Sequence, residues 1–344
     1  MQKLENISVR VLQVLGIVLF ALLTVTSLIF TRFFQLDYQS EIPYNQVDFF
    51  LLTLLGTLIL AGLSIWLGSR VVSGGEKAER NLKILLAVVL CWMLAAGLIW
   101  IGLANSTPVS DQNMIYTSAQ RFNHGNFERL TYGKYLYYYP FQLGLTAWES
   151  VILRIFGEEN CQALQVFNVL GIMLCVYAGY RITRMLSEKK QAAAAYLLFM
   201  AGCFPLIVYS VYVYSDVLSL ALCMTAVWQF LRYVRGGKRS GAVLMVCCLA
   251  AAVLLRNNSL IVMIAVLCVL LVQAVTRKRW QYLVCAAVLL IACLGSGPLL
   301  KQYYEKKTGI EINDGMPSIL WIAMGMQEGD KEAGWYNGYS IYIY

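Results

Sequence analysis

Asp111, Asp216 and Arg256 are ionisable side chains at the edges of long apolar runs, in a 344-residue chain of which only 13% is charged. A carboxylate within hydrogen-bond reach of a hydroxyl can take its proton as a new bond forms. An arginine fork can hold an oxyanion, a phosphate above all, through two parallel hydrogen bonds. The pair of residue types describes proton abstraction coupled to the departure of an anion. Tyr139, Gln142 and Asn257 complete the candidate set as substrate-binding groups.

Each residue also has a plainer reading. Asp111 ends "STPVSD", a string rich in helix-cap residues. Asp216 follows "VYVYS" and precedes an apolar run, so it reads equally as an N-cap. Arg256, flanked by Asn257 and Asn258, reads equally as a loop residue whose stem snorkels to the interface. The tyrosines of "YGKYLYYYP" and "YSVYVYSD" suit interface anchors. The single histidine, His124, has no companion at a metal-ligand spacing. The sequence names no cofactor and leaves a divalent cation open.

The elements that must position these groups are membrane helices. With 59% hydrophobic residues, the chain departs far from the soluble average of about 25% charged. Runs long enough for a bilayer core of about 30 Å fall near 10–33, 49–69, 83–104, 162–181, 191–209, 214–234, 240–255, 259–276 and 280–300. The expectation is an all-α polytopic integral membrane protein with about nine transmembrane helices. All cysteines except Cys161 lie inside these runs and read as small apolar core residues.

The net charge of +8 is a matter of orientation. With the N-terminus cytoplasmic, the inner segments hold 17 of the 27 basic residues and 4 of the 19 acidic ones, as the positive-inside rule asks. No nucleic-acid partner is needed. The same rule rejects a span at residues 140–156, which would turn "RITRMLSEKK", "RYVRGGKRS" and "TRKRW" outward. Gln142, Thr146, Glu149 and Ser150 recur at helical spacing there, which suits a helix lying along the outer interface. Residues 105–161 then form one extracytoplasmic loop. Residues 301–344 form an extracytoplasmic C-terminal segment, which is expected to be truncated because it stops at "GWYNGYSIYIY".

The order Asp111, Tyr116, Ala119, Gly125, the tyrosine run to Tyr139–Pro140, Gly144 and Phe156–Gly157 resembles the first extracytoplasmic loop of the GT-C membrane glycosyltransferases. It is similar to bacterial relatives of dolichyl-phosphate-mannose protein mannosyltransferases and of lipid A aminoarabinose transferase. The resemblance continues through "FPLIVYSVYVYSDVLSLAL", with Asp216, and "LLRNNSLI", with Arg256, covering about residues 83–300. It implies a GT-C-like helical bundle with interfacial helices in the large loop. It also implies transfer of a sugar from a polyprenyl-phosphate-sugar donor to a glycan, lipid or protein acceptor, at the outer face of the cell membrane. Asp111 would be the catalytic base, and Arg256 a ligand for the departing phosphate.

Two departures stand beside this. Gln112 follows Asp111 where many members carry a second acid, and the two runs in residues 1–82 precede the matched core of 83–300. Among other classes, a transporter or lipid flippase would place ionisable residues at the midplane of its spans, whereas these lie at expected outer ends. A polymerase or ligase of lipid-linked glycans would share the donor chemistry and differ in its acceptor.

Overall fold

The computed structural model describes residues 2–37, 40–47, 49–73 and 77–326. The chain divides into two compact units, Met1–Leu63 with Pro317–Tyr344, and Ser64–Met316. The first begins with helix α1 (Gln2–Ile29). It continues with an antiparallel pair, β1 (Phe30–Asp37) and β2 (Ser40–Val47), in register from Phe30 opposite Val47 to Asp37 opposite Ser40. Among the described residues this hairpin is the single sheet in an otherwise helical chain, which agrees with the all-α expectation as a whole. The run "FTRFFQLD" is rich in the aromatic residues that favour strands, so the first apolar run ends as helix before residue 33. Helix α2 (Phe50–Val71) follows and carries the chain into the second unit.

The second unit holds α3 (Lys77–Ala104), α4 (Ser110–Asn123), α5 (Tyr135–Tyr138), α6 (Leu143–Phe156) and α7 (Cys161–Leu186). After these come α8 (Lys190–Ala201), α9 (Phe204–Val208), α10 (Asp216–Gly236), α11 (Arg239–Leu255), α12 (Leu260–Arg277) and α13 (Gln281–Thr308). A last helix, α14 (Ser318–Met326), belongs to the first unit. Residues 327–344, and with them the end of the expected C-terminal segment, lie outside the described residues.

The chain is a multi-pass membrane protein. Among the described residues six helices are long and apolar enough to cross, α2, α3, α7, α10, α13 and α12 with the turn before it. A seventh crossing is counted if α8 and the segment Phe204–Val211, bent by 50° at their break, act as one. The apolar helix Arg239–Leu255 is shorter than the about 20 residues that a core of about 30 Å asks for. Outward residues such as Ile261, Val275 and Ile291 are exposed apolar side chains, as a lipid-facing surface requires.

Side-chain bonds fix which helix ends lie together in the second unit. At one end Asp216, which begins α10, pairs with Arg256, which ends α11, at 2.9 Å. Near the start of α7, Gln165 reaches Ser106 O at 3.0 Å and Asn168 reaches Ser210 O at 3.0 Å. At the other end Arg184, late in α7, meets Glu79, early in α3, at 3.2 Å. There too Arg277, ending α12, donates to Val234 O of α10 at 2.9 Å.

Helix α6 has its polar side turned inward. Thr146, Glu149 and Ser150 are buried, while Val151, Ile155 and Phe156 on its other side are more than half exposed. The polar stripe expected along an interfacial helix is present, yet it faces α4 and α7 rather than water. At 14 residues α6 rises only about 21 Å.

Candidate functional site

The strand-like link from α3 to α4 aims Asp111. Asn105 and Ser110 hold positive φ angles of 40° and 50°, a region that L side chains seldom occupy, so the chain turns sharply on either side of Pro108. Asp111 stands in the first turn of α4, where the helix dipole favours a carboxylate, and it is exposed. Gln112, beside it, is buried, and its Oε1 accepts from Val213 N at 2.9 Å. Gln112 therefore ties α4 to the segment before α10. Gln120 Nε2 and Tyr116 Oη both donate to Glu158 O, at 2.8 and 3.2 Å, which fixes the rest of α4.

The opposing wall is the irregular stretch from Tyr209 to Ser215, whose backbone carbonyls need partners because no regular helix satisfies them. Asn168 supplies two bonds, to Ser210 O at 3.0 Å and Tyr212 O at 2.9 Å. This stretch delivers Tyr214, whose phenol oxygen accepts hydrogen bonds from Gln142 Nε2 and from Tyr135. Burial pushes the Tyr214 hydroxyl up to about 12, with Asp111 the next contributor. Burial and then Asp111 push up Tyr135 as well. Both phenols therefore stay neutral donors close to the Asp111 carboxylate. Tyr139 packs on Tyr135 with ring centroids 4.9 Å apart.

Arg256 lies over the Tyr214 ring at 5.4 Å and donates to Ser215 Oγ at 3.4 Å, besides its pair with Asp216. The site thus runs Asp111, Tyr135, Tyr214, Arg256 and Asp216, with Gln142 and Tyr139 at its side. Asn257 is exposed in the turn just past Arg256. Asp216 is the first helical residue rather than a cap, the N-cap position being Ser215. Arg256 carries a carboxylate partner that spacing alone did not foretell.

An apolar groove of about 610 Å³ opens among α6, α7, α10, α11 and α13. Gly144, Trp148, Leu218, Leu254, Leu255 and Leu300 are among the residues that line it. Leu255 adjoins Arg256, Leu218 follows Asp216 by two positions, and Gly144 follows Gln142 by two. The groove therefore begins where the polar site ends. Gly144 is required at the crossing of α6 and α11, since a side chain there would run into the Leu254 carbonyl.

The sequence did not single out Tyr135 and Tyr214 from their neighbours, nor Gln165 and Asn168 from the rest of α7. A polar side chain in the lipid-depth half of a helix is the signal the last two carried. Glu149 was seen only as part of a stripe. It is 1% exposed, neither carboxylate oxygen has a hydrogen-bond partner, and burial pushes its carboxyl well above the ordinary range. Among the described residues no three His, Cys, Asp or Glu side chains are grouped to hold a metal ion. His124 instead pairs with Glu158 at 2.6 Å. Asp111 and Asp216, the latter already held by arginine, make a poor donor set for a divalent cation.

Residues 145–296 match the family model described as dolichyl-phosphate-mannose-protein mannosyltransferase. This stretch is similar to GT-C membrane glycosyltransferases, and the match supports a membrane glycosyltransferase. It takes in Asp216, Arg256 and the groove's lining from Ala147 to Leu255, and it begins beyond Asp111, Tyr139 and Gln142. No curated protein and no solved structure matches the chain.

Proposed function

We propose that the protein transfers a sugar from a polyprenyl-phosphate-linked donor to a hydroxyl of a glycan, lipid or protein acceptor at the outer membrane–water boundary. The observation that carries this reading is the junction of a carboxylate–phenol–arginine site with a lipid-sized apolar groove. A donor of this kind is half hydrocarbon and half phosphosugar, so it needs both halves of such a site at once. The polyprenyl chain occupies the groove beside Leu218 and Leu255, and the phosphate meets Arg256.

Reaction then requires little from the protein. The acceptor oxygen attacks the anomeric carbon, the bond from that carbon to the phosphate oxygen breaks, and the phosphate leaves with the electron pair. Asp111 takes the acceptor proton. Arg256 and the neutral phenol of Tyr214 offset the charge that develops on the leaving group. Asp216 acts through Arg256 by holding its fork in place. The orientation that suits this scheme has the N-terminus cytoplasmic, the loop 105–161 and the segment after α13 outside, and the bundle end bearing Arg184 and Arg277 inside.

The deciding experiment incubates the purified full chain in nanodiscs with radiolabelled polyprenyl-phosphate sugars and mixed acceptor lipids or glycans. Release of polyprenyl phosphate, coupled to labelled product, is the expected result. Donor that binds and returns intact, or crosses the bilayer unchanged, would mark a carrier and overturn the reading.

A further inference from the structure

The bundle end away from Asp111 carries a second built feature, a cavity of about 670 Å³ among the ends of α10, α11 and α13. Its mouth holds Arg239, Arg279 and Trp280, and no acidic residue lines it. Its walls are apolar: Val243 and Val246 on α11 face Val284 and Val288 on α13. Arg239 and Val246 are seven residues apart on one helix, so the apolar walls run about 10 Å inward from the charge. The volume lies in the range of about 300–1,000 Å³ that ligand sites occupy.

The two arginines come from different turns, and those turns are held together. Arg277 donates to Val234 O at 2.9 Å and to Tyr282 Oη at 3.3 Å, and Tyr233 Oη donates to Gln281 O at 3.4 Å. The bonds to Val234 O and Gln281 O join α10 to the α12–α13 region, and Arg239 and Arg279 line the same opening. Neither arginine has a carboxylate partner among the described residues, unlike Arg121, Arg184 and Arg256. An apolar groove alone accepts any acyl chain. A groove with two unneutralised guanidinium groups at its mouth, and an exposed tryptophan of the type that anchors at headgroup depth, selects an anionic amphiphile.

We propose that this cavity is a binding site for an anionic phospholipid. The lipid phosphate sits between Arg239 and Arg279, and an acyl chain lies along Val243, Val246, Val284 and Val288. The assignment is independent of the reaction proposed for Asp111, and the cavity lies about 30 Å along α10 from Asp216.

The test uses the full chain in detergent micelles titrated with phosphatidylglycerol, with phosphatidylcholine of the same acyl chains, and with soluble glycerol phosphate. Retained lipid is read by native mass spectrometry and the unfolding midpoint by heating. Phosphatidylglycerol is expected to be retained selectively and to raise the midpoint. The double variant Arg239→Gln/Arg279→Gln should weaken it about thirtyfold, each basic residue near an anionic headgroup counting about fivefold. Lys238→Gln/Lys278→Gln removes the same charge from the same turns outside the cavity and should leave retention nearly intact. Val246→Trp, which fills the groove and spares the charge, should also release the lipid. Equal losses in the two double variants, equal retention of phosphatidylcholine, or equal binding of glycerol phosphate would each overturn the proposal. If the arginine variant does not fold, the headgroup comparison and Val246→Trp decide the matter.

Discussion

At the scale of single residues the proposed chemistry separates Asp111 from its neighbours. Asp111→Asn keeps the shape and removes the carboxylate, so transfer should fall by about 10²–10⁴-fold, the usual contribution of a general base, while donor binding persists. Near-normal turnover of the folded variant would place the base elsewhere. Arg256 and Asp216 form one unit at 2.9 Å, so their effects should not add. Arg256→Ala should cost more donor affinity than Arg256→Lys, which keeps charge and loses the fork. Adding Asp216→Ala to Arg256→Ala should cost little more; a full additive loss in donor affinity would show that Asp216 has a separate role. These three residues stand out in the sequence because charge is rare at the expected outer ends of the apolar runs. Tyr214 was not legible, because five tyrosines in "YSVYVYSD" and "YLYYY" with similar anchoring value surround it and Tyr135, and only the fold tells which phenols meet the carboxylate.

At the scale of elements α6 decides how the loop joins the bundle. Gly144 meets the Leu254 carbonyl where α6 crosses α11. Gly144→Ala should therefore force the helices apart, costing about 1–3 kcal/mol as overpacking does, and disturb both groove and site. A variant with unchanged unfolding and transfer would mean that the crossing yields freely. Glu149, buried on the same helix, gives a pH test. Its folded carboxyl holds a proton to higher pH than the unfolded one, so its contribution is present at low pH and is lost as pH rises through the folded value. Glu149→Gln should remove that loss, giving a higher unfolding midpoint than the parent at about pH 8 and a similar one near pH 4. A variant destabilised more at the higher pH would point to a charged partner instead. Spacing disclosed the polar stripe of α6 but not its direction: a helix in lipid can turn its polar side inward, the reverse of the soluble pattern. Among the described residues six helices have the length to cross, against nine apolar runs in the sequence, since apolarity marks depth in the membrane while length and bending decide crossing.

For the whole molecule the two ends of the bundle give the orientation its test. Glu188→Cys and Ser240→Cys, at exposed positions in the turns of the basic end, should resist an impermeant thiol reagent applied outside intact cells, in a background without native cysteines. Both should react once the cells are opened. Reaction of both from outside would invert the bundle and remove Asp111 from the outer face. The break between α8 and α9 has a different consequence. A bend of 50° frees backbone carbonyls that lipid cannot satisfy. Two indoles of α3 take that role, Trp92 Nε1 donating to Ala201 O at 2.9 Å and Trp100 Nε1 to Val208 O at 3.0 Å. The partners are separated by 109 and 108 positions. The ribosome therefore makes both indoles of the clasp long before the bent pair whose carbonyls they hold.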